Sequence, residues 1–112
     1  MKRISTFAAV LAFTLGFAAT ANATGTVGWA KITEISGGWT VPMFSVQVSA
    51  PMENPDGCPS AGIYIVTPDA QSHDMFTSML LTAYARGDQV MLTLSGCSTW
   101  PVIIGIRVRP AS

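Results

Sequence analysis

Ser72, His73 and Asp74 are consecutive and carry the three side-chain types of a nucleophilic catalytic triad. In such a triad the imidazole takes a proton from the serine while the carboxylate orients the ring. Neighbouring residues on a helix, however, point about 100° apart, so these three cannot converge as a triad does. We therefore predict that they mark the start of a helix, with Asp74 in its first turn, and not a catalytic centre.

Metal-ligating residue types are present in numbers too small for a site. The chain has one histidine and two cysteines, which leaves a zinc site short of ligands. Glu53, Asn54 and Asp56 offer oxygen atoms, but three residues in one loop are a weak calcium signal. We expect no enzyme activity, no metal and no other cofactor.

Two tryptophans in predicted loops are better suited to binding a ligand. Trp39 follows a Gly-Gly turn, and Trp100 lies between the predicted fourth and fifth strands. A tryptophan ring can stack on the apolar face of a sugar, while neighbouring hydroxyl groups form hydrogen bonds. The alternative is that each ring packs as a lid over one end of the domain. The candidate ligand-binding residues are Ser36, Trp39, Ser98, Thr99 and Trp100.

These residues need a scaffold, and the hydrophobic pattern predicts five strands and one helix. Runs of β-branched residues with period-two alternation predict strands at about 27–35, 41–49, 63–66, 89–95 and 102–109. Between the third and fourth strands, the apolar residues Phe76, Met79, Leu80 and Ala83 recur at helical spacing. The helix is expected over about 72–86, with Gly87 as its stop.

Alternation also assigns the faces of the strands. In the fourth strand Val90, Leu92 and Leu94 are expected to point inward. The inward set of the fifth strand is expected to be Val102, Ile104, Ile106 and Val108, with Arg107 and Arg109 solvated at a rim. Trp29, within the first strand, is expected in the core.

The order β-β-β-α-β-β is that of a five-stranded OB-like barrel, in which the third and fifth strands are parallel neighbours. Cys58 and Cys97 each precede one of those two strands by a few residues, so this layout brings them together. In an exported protein we expect them to form a disulfide bond, the alternative being two free thiols. The predicted fold is therefore mainly β, an OB-like barrel with one helix between strands 3 and 4 and one disulfide. A β-sandwich is the alternative.

The beginning of the chain has the pattern of an export signal. Lys2 and Arg3 precede the uncharged stretch Ile4–Ala19, and Ala21-Asn22-Ala23 is a small-residue cleavage site. We predict a cleaved signal peptide at 1–23 and a single domain at 24–112. A membrane anchor is the alternative, but the apolar stretch is short for one. The protein is expected to be periplasmic or secreted, with no membrane insertion after cleavage.

The charge after residue 23 argues against two classes of partner. Four Lys and Arg residues stand against six Asp and Glu residues, a formal charge of −2. No basic run appears, so the electrostatic footprint of a general nucleic-acid-binding protein is lacking. A polybasic membrane-surface segment is lacking for the same reason. We expect no nucleic-acid partner.

The segment Phe76–Val90, FTSMLLTAYARGDQV, leads from the predicted helix through Gly87 into the fourth strand, and Gly96-Cys97 and Pro101 follow. It resembles the same region of pentameric B subunits of bacterial A–B toxins, of the subtilase-cytotoxin and pertussis-like type, and of short exported Gram-negative proteins without an assigned activity. The resemblance covers roughly residues 58–108. It implies an OB barrel, a ring-shaped homopentamer with helices lining its centre, and binding of host-cell glycans. It transfers no sugar-contacting residue to this chain.

These observations lead to one function hypothesis and two alternatives. The first is an exported, non-catalytic binding protein, directed at a glycan if the resemblance extends to function. The second is a small periplasmic inhibitor or stress protein that binds another protein, which a rigid protruding loop at Pro51–Pro59 would favour. The third is a subunit of an enzyme that has no catalytic residues of its own.

Overall fold

The computed structural model describes residues 24–38, 40 and 42–111. The predicted signal peptide at 1–23 and the candidate residue Trp39 lie outside this part of the chain and stay predictions. The described elements follow the predicted order: β1 (Thr24–Gly38), β2 (Met43–Val48), β3 (Tyr64–Val66), α1 (His73–Arg86), β4 (Gln89–Ser98) and β5 (Trp100–Arg109).

The five strands pair in the order β1-β2-β3-β5-β4 and close into a barrel, because β4 pairs with β1 again. All pairs are antiparallel except β3 and β5, which are parallel through Ile65 and Val102. This is the predicted mainly β, OB-like barrel with one helix between strands 3 and 4. The Cys58–Cys97 disulfide is also confirmed, with a Cα–Cα distance of 5.5 Å.

The core is formed by the inward faces of the strands and by one face of α1. Val90, Leu92 and Leu94 of β4 have no exposed surface, as the alternation predicts. On the helix, Phe76, Leu80 and Ala83 are buried against them. Gly87 follows α1 in the left-handed conformation, with φ of 72°, and so ends the helix as predicted.

β1 is longer than predicted, and a bulge within it places Trp29 outside the core. Val27 pairs with Leu92 and Ala30 pairs with Val90, so two residues of β1 lie opposite the single residue Met91 of β4. An extra residue reverses the alternation beyond it. Ala30 therefore points inward, and Trp29 is half-buried on the outer face. The prediction that Trp29 belongs to the core is wrong.

A second bulge corrects the predicted faces of β5. Leu94 pairs with Ile103 and Thr93 pairs with Gly105, which leaves Ile104 as the extra residue. Ile103 is consequently buried in the core, whereas Ile104 is 51% exposed. The predicted inward positions hold for Ile106 and Val108, which pack against the core, and are wrong for Val102 and Ile104.

Two predicted breaks turn out to be paired strand. Ser36-Gly37-Gly38, expected as a turn, continues β1 and pairs with Ser45, Phe44 and Met43 of β2. Gly96-Cys97, expected to end the fourth strand, lies within β4, because a bulge between Leu94 and Cys97 absorbs the extra residue. Cys97 then pairs with Pro101 of β5.

Candidate functional site

The candidate residues Ser98, Thr99 and Trp100 form the tip of the β4–β5 hairpin and do not lie in an open loop. Ser98 pairs with Trp100, and Thr99 makes the turn between them with φ of 69°. A β-branched residue rarely adopts a positive φ, because its side chain crowds the backbone there. The sequence predicted a loop at these residues. The connection between β4 and β5 is instead a tight turn with Thr99 at its centre.

The long segment between β2 and β3 holds this hairpin in place from outside. The Ser60 N–H donates to the Thr99 carbonyl at 2.9 Å, and the Gly96 N–H donates to the Asp56 carboxylate at 2.6 Å. The disulfide joins the same two segments, with Cys58 buried and Cys97 exposed. Three connections therefore fix the hairpin tip against the segment at 49–63.

That segment is also ordered internally and against the barrel. Asn54 holds Cys58 at both ends: its side-chain amide donates to the Cys58 carbonyl at 3.1 Å, and its side-chain oxygen accepts from the Cys58 N–H at 2.8 Å. A Cβ added to Gly25 of β1 would lie 2.8 Å from Pro55, so the segment lies close against the start of β1. Exposed residues of this segment include Pro51, Met52, Glu53, Gly57 and Pro59.

Tyr64 connects the interior of the barrel to the same segment. Its ring belongs to the core, and its hydroxyl oxygen accepts a hydrogen bond from the Glu53 N–H at 2.8 Å. Burial raises the pKa of the Tyr64 hydroxyl above its ordinary value of 10.0, and the nearby Glu53 charge acts in the same direction, whereas the hydrogen bond opposes them. The folded barrel therefore favours the neutral form of the Tyr64 hydroxyl.

Ser36 lies on the outer face of the barrel in a row of directly paired residues. Ser36 pairs with Ser45, Ser45 pairs with Ile65, and Ile65 pairs with Val102. Paired residues project to the same side of a sheet, and the neighbours of Ser45 and Ile65 form the core, so the row points outward. Trp100 lies two residues before Val102 on β5 and shares this side.

Ser36 lies at one end of this row, and Val102, next to the hairpin tip, lies at the other end. Three strand spacings separate Ser36 from Val102, which is about 14 Å. Ser36 Oγ donates to the Glu34 carboxylate at 3.2 Å, so its hydroxyl already has a partner. Ser45 and Ile65 lie between Ser36 and Val102 and are 2% and 0% exposed, so Ser36 and Trp100 do not share one open surface.

Ser72, His73 and Asp74 lie at the start of α1, where His73 contacts neighbouring groups of the fold. Ser72 precedes the helix but makes no side-chain cap. His73 Nδ1 lies 3.3 Å from the Asp74 carboxylate, a closer approach than helix geometry alone predicted. His73 Nε2 lies 3.1 Å from the Pro42 carbonyl, so the ring ties the helix start to the segment before β2. Among the described residues, no group of three or more His, Cys, Asp or Glu is placed to hold a metal ion.

Sequence reasoning missed a second surface, on the outer side of β1, β4 and β5. Arg109, expected to be solvated at a rim, lies over the ring of Trp29 with 4.1 Å between its guanidinium carbon and the ring centroid. Its Nε donates to the Gln89 side-chain oxygen at 2.9 Å. The Arg-x-Arg spacing of β5 indicated that both arginines share one face, but nothing in the sequence indicated which residues lie beside them.

No protein-family model matches this chain, and no curated protein matches it. Within the residues that the structure describes, no helix is long and apolar enough to cross a membrane.

Proposed function

We propose that this protein is an exported, non-catalytic binding protein whose ligand is a glycan. The proposed site is the hairpin tip Ser98–Trp100 at the end of β4 and β5. Ser36 lies apart from it, because Ser45 and Ile65 between them are buried. The loop before the fifth strand is one of the places where OB folds bind oligosaccharides and oligonucleotides. The net charge of −2 after residue 23 favours the oligosaccharide.

The observation that carries this proposal is the fixed position of Trp100. Its ring is half-buried, on a hairpin held by the disulfide and by the Ser60–Thr99 and Asp56–Gly96 hydrogen bonds. A preorganised aromatic residue loses little conformational entropy when a ligand binds, which helps it to bind a weakly interacting ligand such as the apolar face of a sugar ring.

The resemblance to toxin B subunits further leads us to propose self-association through the helix. Leu81 and Tyr84, three residues apart on one side of α1, are both exposed, and Met75 is exposed on the opposite flank of the helix. Large apolar side chains exposed together often mark a contact surface. A homopentamer with helices at its centre would cover them.

The proposal is tested by a glycan array and by the native mass of the oxidised protein, purified after expression of the full chain. We expect binding to one class of glycan, and a loss of at least about tenfold in affinity for Trp100→Ala, from removal of one stacking contact. Trp100→Phe keeps a ring and should keep most of the affinity. Circular dichroism of each variant shows whether the fold is retained.

The two measurements separate the parts of the proposal. A monomer that binds glycan overturns the pentamer alone. A protein that binds no glycan on the array, or whose folded Trp100→Ala variant binds unchanged, overturns the proposed site. The absence of any glycan binding would favour the inhibitor or stress-protein hypothesis.

A further inference from the structure

Three of the four Lys and Arg residues that follow residue 23 lie on one surface of the barrel. Lys31 of β1 pairs with Gln89 of β4, and Gln89 pairs with Arg109 of β5. Arg107 lies two residues before Arg109 and shares its side of the strand. The neighbouring Val90 and Ala30 are buried, so this row points outward. We call the surface formed by Trp29, Lys31, Gln89, Arg107 and Arg109 the cationic face.

None of the six acidic residues of the described chain is a member of the cationic face, although Asp88 precedes Gln89 and Glu34 follows Lys31 by three positions on β1. Glu34 pairs with Gln47 of β2, and Asp88 forms an ion pair with Arg86 at 2.9 Å. The other four lie in the segment at 49–63 or around the start of α1: Glu53, Asp56, Asp69 and Asp74. In the part of the chain that the structure describes, Lys31, Arg107 and Arg109 have no ion-pair partner. The cationic face is therefore a local positive surface on a protein of net negative charge.

Arg109 is held in position before any ligand arrives. Its guanidinium lies over Trp29 at 4.1 Å, and its Nε bonds to Gln89. An arginine has five N–H donors, so four remain, and these have no partner among the described residues. A guanidinium presents paired donors that match the oxygens of a sulfate or phosphate group.

We propose that the cationic face binds a polysaccharide that carries sulfate or phosphate groups. Lys31 and Arg109 are two strand spacings apart, about 10 Å, and Arg107 and Arg109 are about 7 Å apart along β5. Anionic groups spaced along a polymer can contact such separated cations in turn. Beside them, the outward pair Thr26 and Thr93 and the amide of Gln89 supply neutral partners for sugar hydroxyls.

The same observations disfavour other polyanions. Membrane-binding clusters use four to eight basic residues, and nucleic-acid-binding proteins neutralise many phosphates at once. Three cations with hydroxyl and amide neighbours suit a ligand that combines sparse charges with many hydroxyl groups. The cationic face is separate from the hairpin tip Ser98–Trp100 of the proposed function, and this inference does not depend on that tip.

The test uses the oxidised protein, purified after expression of the full chain, and a heparin-derived oligosaccharide as the sulfated probe. We expect saturable binding that weakens as salt is added, because exposed charges are screened. Lys31→Gln, Arg107→Gln and Arg109→Gln should each weaken it about fivefold, the effect of one surface ionic contact. The triple variant should bind no probe.

Arg86→Gln is the matched control, since it removes the fourth cation, which lies in the last turn of α1 beside Asp88. It should bind the probe as the unmodified protein does. Equal weakening by Arg86→Gln would mean that net charge alone drives binding, and would overturn the site. No binding to the probe, or tighter binding to single-stranded DNA or to anionic phospholipid vesicles, would overturn the proposed ligand class.

Discussion

Tyr64 is a buried residue that joins the interior of the barrel to the segment at 49–63. Its ring packs in the core while its hydroxyl accepts the Glu53 N–H. A buried hydroxyl without a partner would be costly, so the position of the segment and the presence of tyrosine depend on one another. The segment in turn holds the candidate hairpin through Cys58 and Ser60.

We predict that Tyr64→Phe lowers the free energy of unfolding by about 1 kcal/mol, the net contribution of one hydrogen bond. The ring and its packing are retained, so the change isolates the hydroxyl. Urea denaturation measures the effect. Tyr84→Phe is the control, because Tyr84 is 45% exposed, and it should change the stability little. Equal stability of the two variants would show that the Glu53–Tyr64 bond contributes nothing.

The raised pKa of Tyr64 also predicts a loss of stability at alkaline pH. Below pH 10.0 the phenol is neutral in both the folded and the unfolded chain, so the stability is unaffected. Above it, the unfolded chain ionises first, and the free energy of unfolding falls until the pH passes the folded pKa. The chain has two tyrosines, so phenolate absorbance of Tyr84→Phe reports Tyr64 alone. Titration at or below the ordinary value would contradict this prediction.

At the scale of elements, bulges decide which residues lie on the outer surface of the barrel. One bulge puts Trp29 on the outer surface beside Arg109, and another exposes Ile104 and buries Ile103. A third bulge lets β4 continue to Ser98, so that the paired strands of the hairpin extend to Ser98 and Trp100. A bulge bends its strand and increases the local twist, which a closed ring of strands can accommodate.

The disulfide is the strongest single connection between the hairpin and the segment at 49–63. We predict that the double variant Cys58→Ser, Cys97→Ser loses about 4 kcal/mol of unfolding free energy, because the bond closes a long loop in the unfolded chain. The residues it joins are separated by 39 positions. Urea denaturation of the variant, and of the unmodified protein with reductant, should give the same lower midpoint. An unchanged midpoint in both would refute this role.

At the scale of the whole molecule, the barrel separates its surfaces by chemistry. Cations lie on the outer side of β1, β4 and β5, the hairpin tip Ser98–Trp100 lies at the end of β4 and β5, and exposed apolar residues lie along α1. One closed core supports all three, so a defect in the core should affect them together.

We predict that Leu92→Ala lowers the free energy of unfolding by about 2–5 kcal/mol, since it leaves a cavity at a fully buried position. Ile104→Ala removes an aliphatic side chain that is 51% exposed and should cost less than about 0.5 kcal/mol. Near- and far-ultraviolet circular dichroism should show one coincident transition for each variant. Separate transitions would mean that the three surfaces do not share one cooperative core.

The sequence by itself determined the element order, the helix and its glycine stop, the inward face of β4 and the cysteine pairing. The elements and faces follow from local periodicity and turn chemistry, which neighbouring residues along the chain contain. The cysteine pairing follows from the strand order, which places Cys58 and Cys97 before two adjacent parallel strands. Only the tertiary structure decided the faces beyond each bulge, because one extra residue reverses the alternation without a sequence signal. It alone also brought Lys31 beside Arg107 and Arg109. The chain has no basic run, and a positive surface assembled from separate strands depends on which strands pair when the barrel closes.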